Sequence, residues 1–153
     1  MTTPPTPTLV AFRFVPLAMA FGVLVLTGGA VALRASGTLA GSPDTARILT
    51  YCVAGLALAL VPALVVLRAT QVARLRAGRA QALELLAQGR VPHPVLALTI
   101  GSCALVEGLG LLGAVTVLLG GPWAVLAVPV LAVAVILLQV PTRTRIETLV
   151  RNP

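Results

Sequence analysis

Long apolar runs alternate with short polar stretches along this chain, at 14–33, 48–67, 95–119 and 123–140. Each approaches the roughly 20 apolar residues that carry a helix across a ~30 Å hydrocarbon core. The pattern predicts an all-α integral membrane protein, a four-helix bundle made of two helical hairpins. The core domain is expected over 9–141, after a cytoplasmic lead at 1–8 whose MTTPPTPT has no apolar run and is expected to be disordered. A cytoplasmic tail is expected at 142–153.

The punctuation between runs supports the same division. A polar turn rich in Gly, Ser and Pro follows the first run, with Asp44 a candidate cap for the next helix. Val91-Pro92-His93-Pro94 cannot be helix interior and marks the start of the third span. Gly120-Gly121-Pro122 predicts a tight turn, and Trp123 is placed to anchor the fourth span at head-group level. Pro62 and Pro129 fall inside the two return helices. Ala30-Val31-Ala32 resembles a signal-peptide cleavage site, but the first run has no basic segment before it and is too long, so it is read as a retained span.

Composition sharpens the picture. The 153 residues are 58% hydrophobic and 10% charged, with a mean hydropathy of +1.04. A soluble core cannot hide several such runs in so short a chain. The net charge of +7 would elsewhere suggest nucleic acid, yet every basic residue is an Arg placed just outside an apolar run. With three Phe, one Tyr and one Trp there is no stacking platform for bases, so nucleic-acid binding is set aside.

Nine of the 11 basic residues, Arg13, Arg68, Arg74, Arg76, Arg79, Arg90, Arg143, Arg145 and Arg151, fall on one side of four spans, against Arg34 and Arg47 on the other. The positive-inside rule then places both termini and the basic loop 68–92 in the cytoplasm. Within that loop Val72, Leu75, Leu83 and Leu86 recur at helical spacing, so part of it is expected to be amphipathic. Arg68, Arg74, Arg76, Arg79 and Arg90 could face anionic lipid of the inner leaflet, or could simply fix the topology. Abundant Ala, Arg, Gly and Leu without any Lys is the mark of a GC-rich bacterial genome, so the expected location is a bacterial inner membrane.

One residue breaks the apolar rule. Glu107 is at the middle of the third span, where an ionised side chain costs at least ~3 kcal/mol. No Arg, Lys or His lies at comparable depth, so desolvation favours the neutral acid. Its helical face includes Ile100, Cys103, Ala104, Gly110, Leu111 and Ala114, with Gly108 beside it; these are mostly small residues that let another helix approach. Two roles follow: a site that loads and unloads a proton or cation, or a neutral clamp that hydrogen-bonds a neighbouring helix.

The segment Ala104-Leu-Val-Glu107-Gly-Leu-Gly-Leu-Leu-Gly-Ala-Val115 resembles the carboxylate-bearing helix of the rotor-ring proteolipid, subunit c, of F-type and V-type ATPases. A basic loop with Arg90 and Pro92 precedes it, and the second run, with Ala54, Gly55, Ala57, Ala59 and Ala63, stands where that family has its small-residue inner helix. The resemblance spans 48–119 and implies an oligomer in which Glu107 binds the transported proton or sodium ion. The loop here is longer, the alternate-glycine motif is absent, and apolar helices flank the hairpin on both sides.

No enzyme is expected. His93 is interfacial and far from any second carboxylate, and Gly108, Gly110 and Gly113 lie inside a membrane run rather than in a phosphate loop. Cys52 and Cys103 with one His offer no metal-ligand spacing, so neither metal nor cofactor is expected, and both thiols are read as reduced. The expectation is a small proteolipid-like homo-oligomer in a lipid bilayer. The other reading is an accessory subunit or scaffold in a larger membrane complex.

Overall fold

The computed structural model describes residues 9–37, 41–140, 142 and 148. The lead at 1–8 and, of the tail, Arg143, Arg145 and Arg151 lie outside the described residues. The described chain is helical, with no strand: α1 Leu9–Ala35, α2 Pro43–Ala77, α3 Arg79–Ala87, α4 His93–Leu118, a 3-10 turn Trp123–Leu126, and α5 Ala127–Leu138. Three helices are long and apolar enough to cross a membrane, and Trp123–Leu138 is a shorter apolar one. The 3-10 rise lengthens that last segment to roughly 26 Å.

Local chemistry sets the boundaries. Ser42 is the N-cap of α2 and Pro43 its first residue, with Asp44 in the first turn, where its charge meets the helix dipole. Asp44 is therefore not the cap that the sequence suggested. The apolar run ends at Leu67, yet α2 continues to Ala77 because Arg68-Ala-Thr-Gln-Val-Ala-Arg-Leu-Arg-Ala77 is rich in strong helix formers. Gly78 then breaks the chain into α3.

The expected amphipathic stripe is accordingly split. Leu75 is buried with Phe12, Ala82, Val91 and Val95, and Leu86 packs against them, while Leu83 stays exposed. These residues close the basic end of the molecule. At the opposite end α4 stops at Gly120, whose φ of +93° favours glycine. Gly120 N–H bonds to Val117 O and Gly121 N–H to Thr116 O, the Schellman pattern that satisfies terminal carbonyls.

Helix α4 is the centre of the assembly. It packs against α1, α2 and α5, and α1 also packs against α5. The α1–α4 pair runs parallel, with α5 antiparallel in the groove between them. Ala20 and Val23 of α1, Cys103 and Val106 of α4, and Ala132, Val133 and Ile136 of α5 form the middle core. Two glycines allow this approach: a Cβ on Gly110 would lie 2.8 Å from Ala132 Cβ, and one on Gly113 would lie 3.0 Å from Pro129 Cδ. On the other flank Leu67 of α2 lies against Gly101 of α4.

Candidate functional site

Glu107 sits near the middle of α4 and is half-buried. Its carboxyl group reaches toward α1 at Gly22, where a Cβ would stand 3.7 Å from Oε1. A methyl there would stand at ordinary van der Waals distance, so Gly22 is a neighbour of the carboxyl group that brings it no hydrogen-bonding side chain. Glu107 makes no hydrogen bond to another described residue.

The small residues expected round Glu107 divide into two sets. Cys103, Gly110 and Ala114 are buried inside the chain. Ala104 and Gly108 are exposed, and nothing lies within 4 Å of a Cβ built on Gly108. At 100° per residue, Ala104 and Gly108 lie on the side of α4 away from Gly110 and Gly113, hence away from α5. On the same side, α2 reaches α4 at Gly101 through Leu67.

A second polar group near Glu107 was not apparent from the sequence. The Ser102 hydroxyl and Cys103 thiol both donate to Gln139 Oε1, at 2.7 and 3.3 Å, and Ser102 also lies 3.1 Å from Thr99 O. Gln139, inside the 123–140 run and at the C-terminal cap of α5, ties α5 to α4 one helical turn on the basic side of Glu107.

The opposite end holds another unexpected cluster. Arg34, last-turn residue of α1, donates to Val117 O at 3.1 Å and to Gly121 O, and its guanidinium lies 4.1 Å from the Trp123 ring centroid. A cation on the carbonyl end of α4 meets the negative end of the helix dipole. A sequence signal did exist: an Arg on the side that the charge bias leaves poor in Arg needs a local partner, and Trp123 was already placed at that level.

Arg68, Arg74, Arg76, Arg79 and Arg90 are all exposed at the basic end, along α2, α3 and the link into α4. His93 is exposed at the start of α4. Cys52 is exposed and Cys103 buried, and neither is in a disulfide. Among the described residues no group of three or more His, Cys, Asp or Glu is placed to hold a metal ion. No protein-family model matches the chain, nor does any curated protein or solved structure.

Proposed function

We propose that this is a small polytopic membrane protein, proteolipid-like in character, in which Glu107 exchanges a proton within the bilayer. The four apolar helices cross the membrane, and the basic end with both termini faces the cytoplasm of a bacterial cell. One observation carries the choice of role: the carboxyl group faces Gly22, which has no side chain to bond it, and has no hydrogen-bond partner among the described residues. A clamp between helices of one chain needs such a partner. An acid without one gains or loses a proton without breaking a structural bond.

The exposed arginines support the orientation. Beyond Leu67, α2 carries Arg74 and Arg76 about 10–14 Å past the end of its apolar run at a rise of 1.5 Å per residue. That is the level of lipid phosphates and the water just beyond them. Anionic lipid is the expected neighbour.

A hydrophobic carbodiimide tests the proposal, because it reacts with protonated acids in apolar surroundings. With the full chain in phospholipid vesicles, Glu107 should be modified at neutral pH, more slowly as pH rises, and Glu107→Gln should remove the labelled peptide from the mass spectrum. Resistance of Glu107 across the neutral range would remove the proton-exchange reading.

A further inference from the structure

Polar groups are not spread evenly about Glu107. Toward the Arg34–Trp123 end, α4 has no polar side chain before Thr116, and α1 has none between Gly22 and Thr27. Both threonine hydroxyls bond within their own helices, to Leu112 O and Val23 O. Toward the basic end, polar side chains recur at short intervals. At a rise of 1.5 Å per residue, Cys103 lies about 6 Å along α4 from Glu107, Ser102 about 7.5 Å and Thr99 about 12 Å.

Gln71 of α2 continues the series. Leu67, Gln71 and Leu75 follow one another at four-residue spacing along one stripe of the helix. Leu67 lies against Gly101 of α4, and Leu75 is buried with Phe12 and Val95, with Leu96 and Ile100 packed on them. Gln71 is therefore held against α4 between those levels, roughly 15 Å from Glu107. It is only 7% exposed, and its buried Oε1 has no hydrogen-bond donor among the described residues. Turning the amide over would bury an unpaired NH2 in the same place, so the site calls for a partner in either orientation.

An amide oxygen buried without a donor costs about 1–3 kcal/mol, and a bound water removes that cost for at most about 2 kcal/mol of immobilisation. Water is close at hand. Gln71 stands four residues, about 6 Å, beyond the apolar run that ends at Leu67, and Arg68 and Arg74 on either side of it are exposed.

We propose that Gln71 Oε1 binds a water molecule, and that this water is the entry to a hydrated route by which Glu107 exchanges its proton with the basic side of the membrane rather than the opposite side. The inference rests on the reading of Glu107 as a proton-exchanging acid. A proton passes from the Glu107 carboxyl to water, and water returns one to the carboxylate. Ser102, Thr99 and Gln71 give the intervening waters hydrogen-bonding partners.

Exchange kinetics followed by infrared spectroscopy test the route, with the full chain in phospholipid vesicles. On transfer to deuterium oxide, the Glu107 acid band should shift about tenfold more slowly in Gln71→Leu than in the wild type, the factor that one ordinary hydrogen bond makes in a rate. Thr116→Val, on the other side of Glu107, should leave the rate unchanged. Gln71→Leu replaces an amide that has no protein partner for its oxygen, so it should melt no lower than the wild type. Silver ion reads the water independently, in a Cys52→Ala, Cys103→Ser background. Silver binds the thiolate, which forms where water reaches the sulfur, so Gln71→Cys should be blocked against later maleimide labelling about tenfold faster than Val95→Cys, which is buried among apolar side chains at the same end. Equal exchange in Gln71→Leu and the wild type, or equal silver rates at the two cysteines, would overturn the route. Slower exchange in Thr116→Val than in Gln71→Leu would place the route on the opposite side and overturn it as well. A wild type with no acid band removes the proton-exchange reading and the route with it, and the silver result then upholds or removes the water site.

Discussion

Gly110→Leu is expected to prevent the chain from reaching its packed form. The glycine lies where three helices meet, and even a methyl group there would stand 2.8 Å from Ala132 Cβ and 3.2 Å from Val23 Cγ1. Both neighbours are short and stiff, so neither can swing aside, and room for a leucine requires α1 or α5 to move bodily. Overpacking of a dense core costs about 1–3 kcal/mol, and a leucine at a helix triple contact belongs at or above the upper end. Gly110→Ala should fall between: its methyl still stands well inside ordinary contact with Ala132 Cβ, but it asks for far less space than a leucine. Thermal unfolding in detergent, followed by circular dichroism and size exclusion, measures this. Gly108→Leu is the control: with open space around it, this change should leave the melting of the single chain unaltered.

Arg34→Ala should be the most damaging change at the opposite end. It removes two charge-assisted hydrogen bonds to Val117 O and Gly121 O and the stack on Trp123, and so frees the end of α1 from the α4–α5 turn. Hydrogen bonds from a charged group and a cation–π contact together account for roughly 2–4 kcal/mol at a half-buried site. Arg34→Lys keeps the charge but loses the planar fork and most of the stack, and should recover less than half of the loss. Arg47→Ala, exposed on the same side, should shift stability by no more than about 0.5 kcal/mol. Equal melting points for Arg34→Ala and Arg47→Ala would show that the cluster contributes nothing.

The sequence revealed the apolar helices because a bilayer-length run leaves few alternatives. The Gly120-Gly121-Pro122 turn and the Pro92-His93-Pro94 start were also legible, since their residue types restrict the backbone directly. What stayed hidden was depth and direction. Hydropathy ends a span at Leu67, but backbone propensity carries α2 on to Ala77, and the two signals are independent. Glu107 was conspicuous because a charge among apolar residues is costly. Its neighbours were harder: helical spacing put Ala104 and Gly110 alike on its face, and only the positions of α1 and α5 separate the buried glycine from the exposed alanine. Gln139 and Arg34 were missed for a related reason. Each meets partners 36 to 87 residues away in the chain, Ser102 and Cys103 for one and Val117 and Gly121 for the other. No local pattern encodes the contacts of Gln139, and those of Arg34 were hinted at only by an Arg on the Arg-poor side at the level of Trp123.

If Glu107 exchanges a proton inside the membrane, as proposed, infrared difference spectroscopy reads that proton directly. With the full chain in vesicles at neutral pH, a carboxylic-acid C=O band is expected that vanishes in Glu107→Gln, shifts in deuterium oxide, and gives way to carboxylate bands as pH is raised. A spectrum in which Glu107 is already carboxylate at neutral pH, or an acid band that neither exchanges with deuterium nor responds to pH, would contradict it.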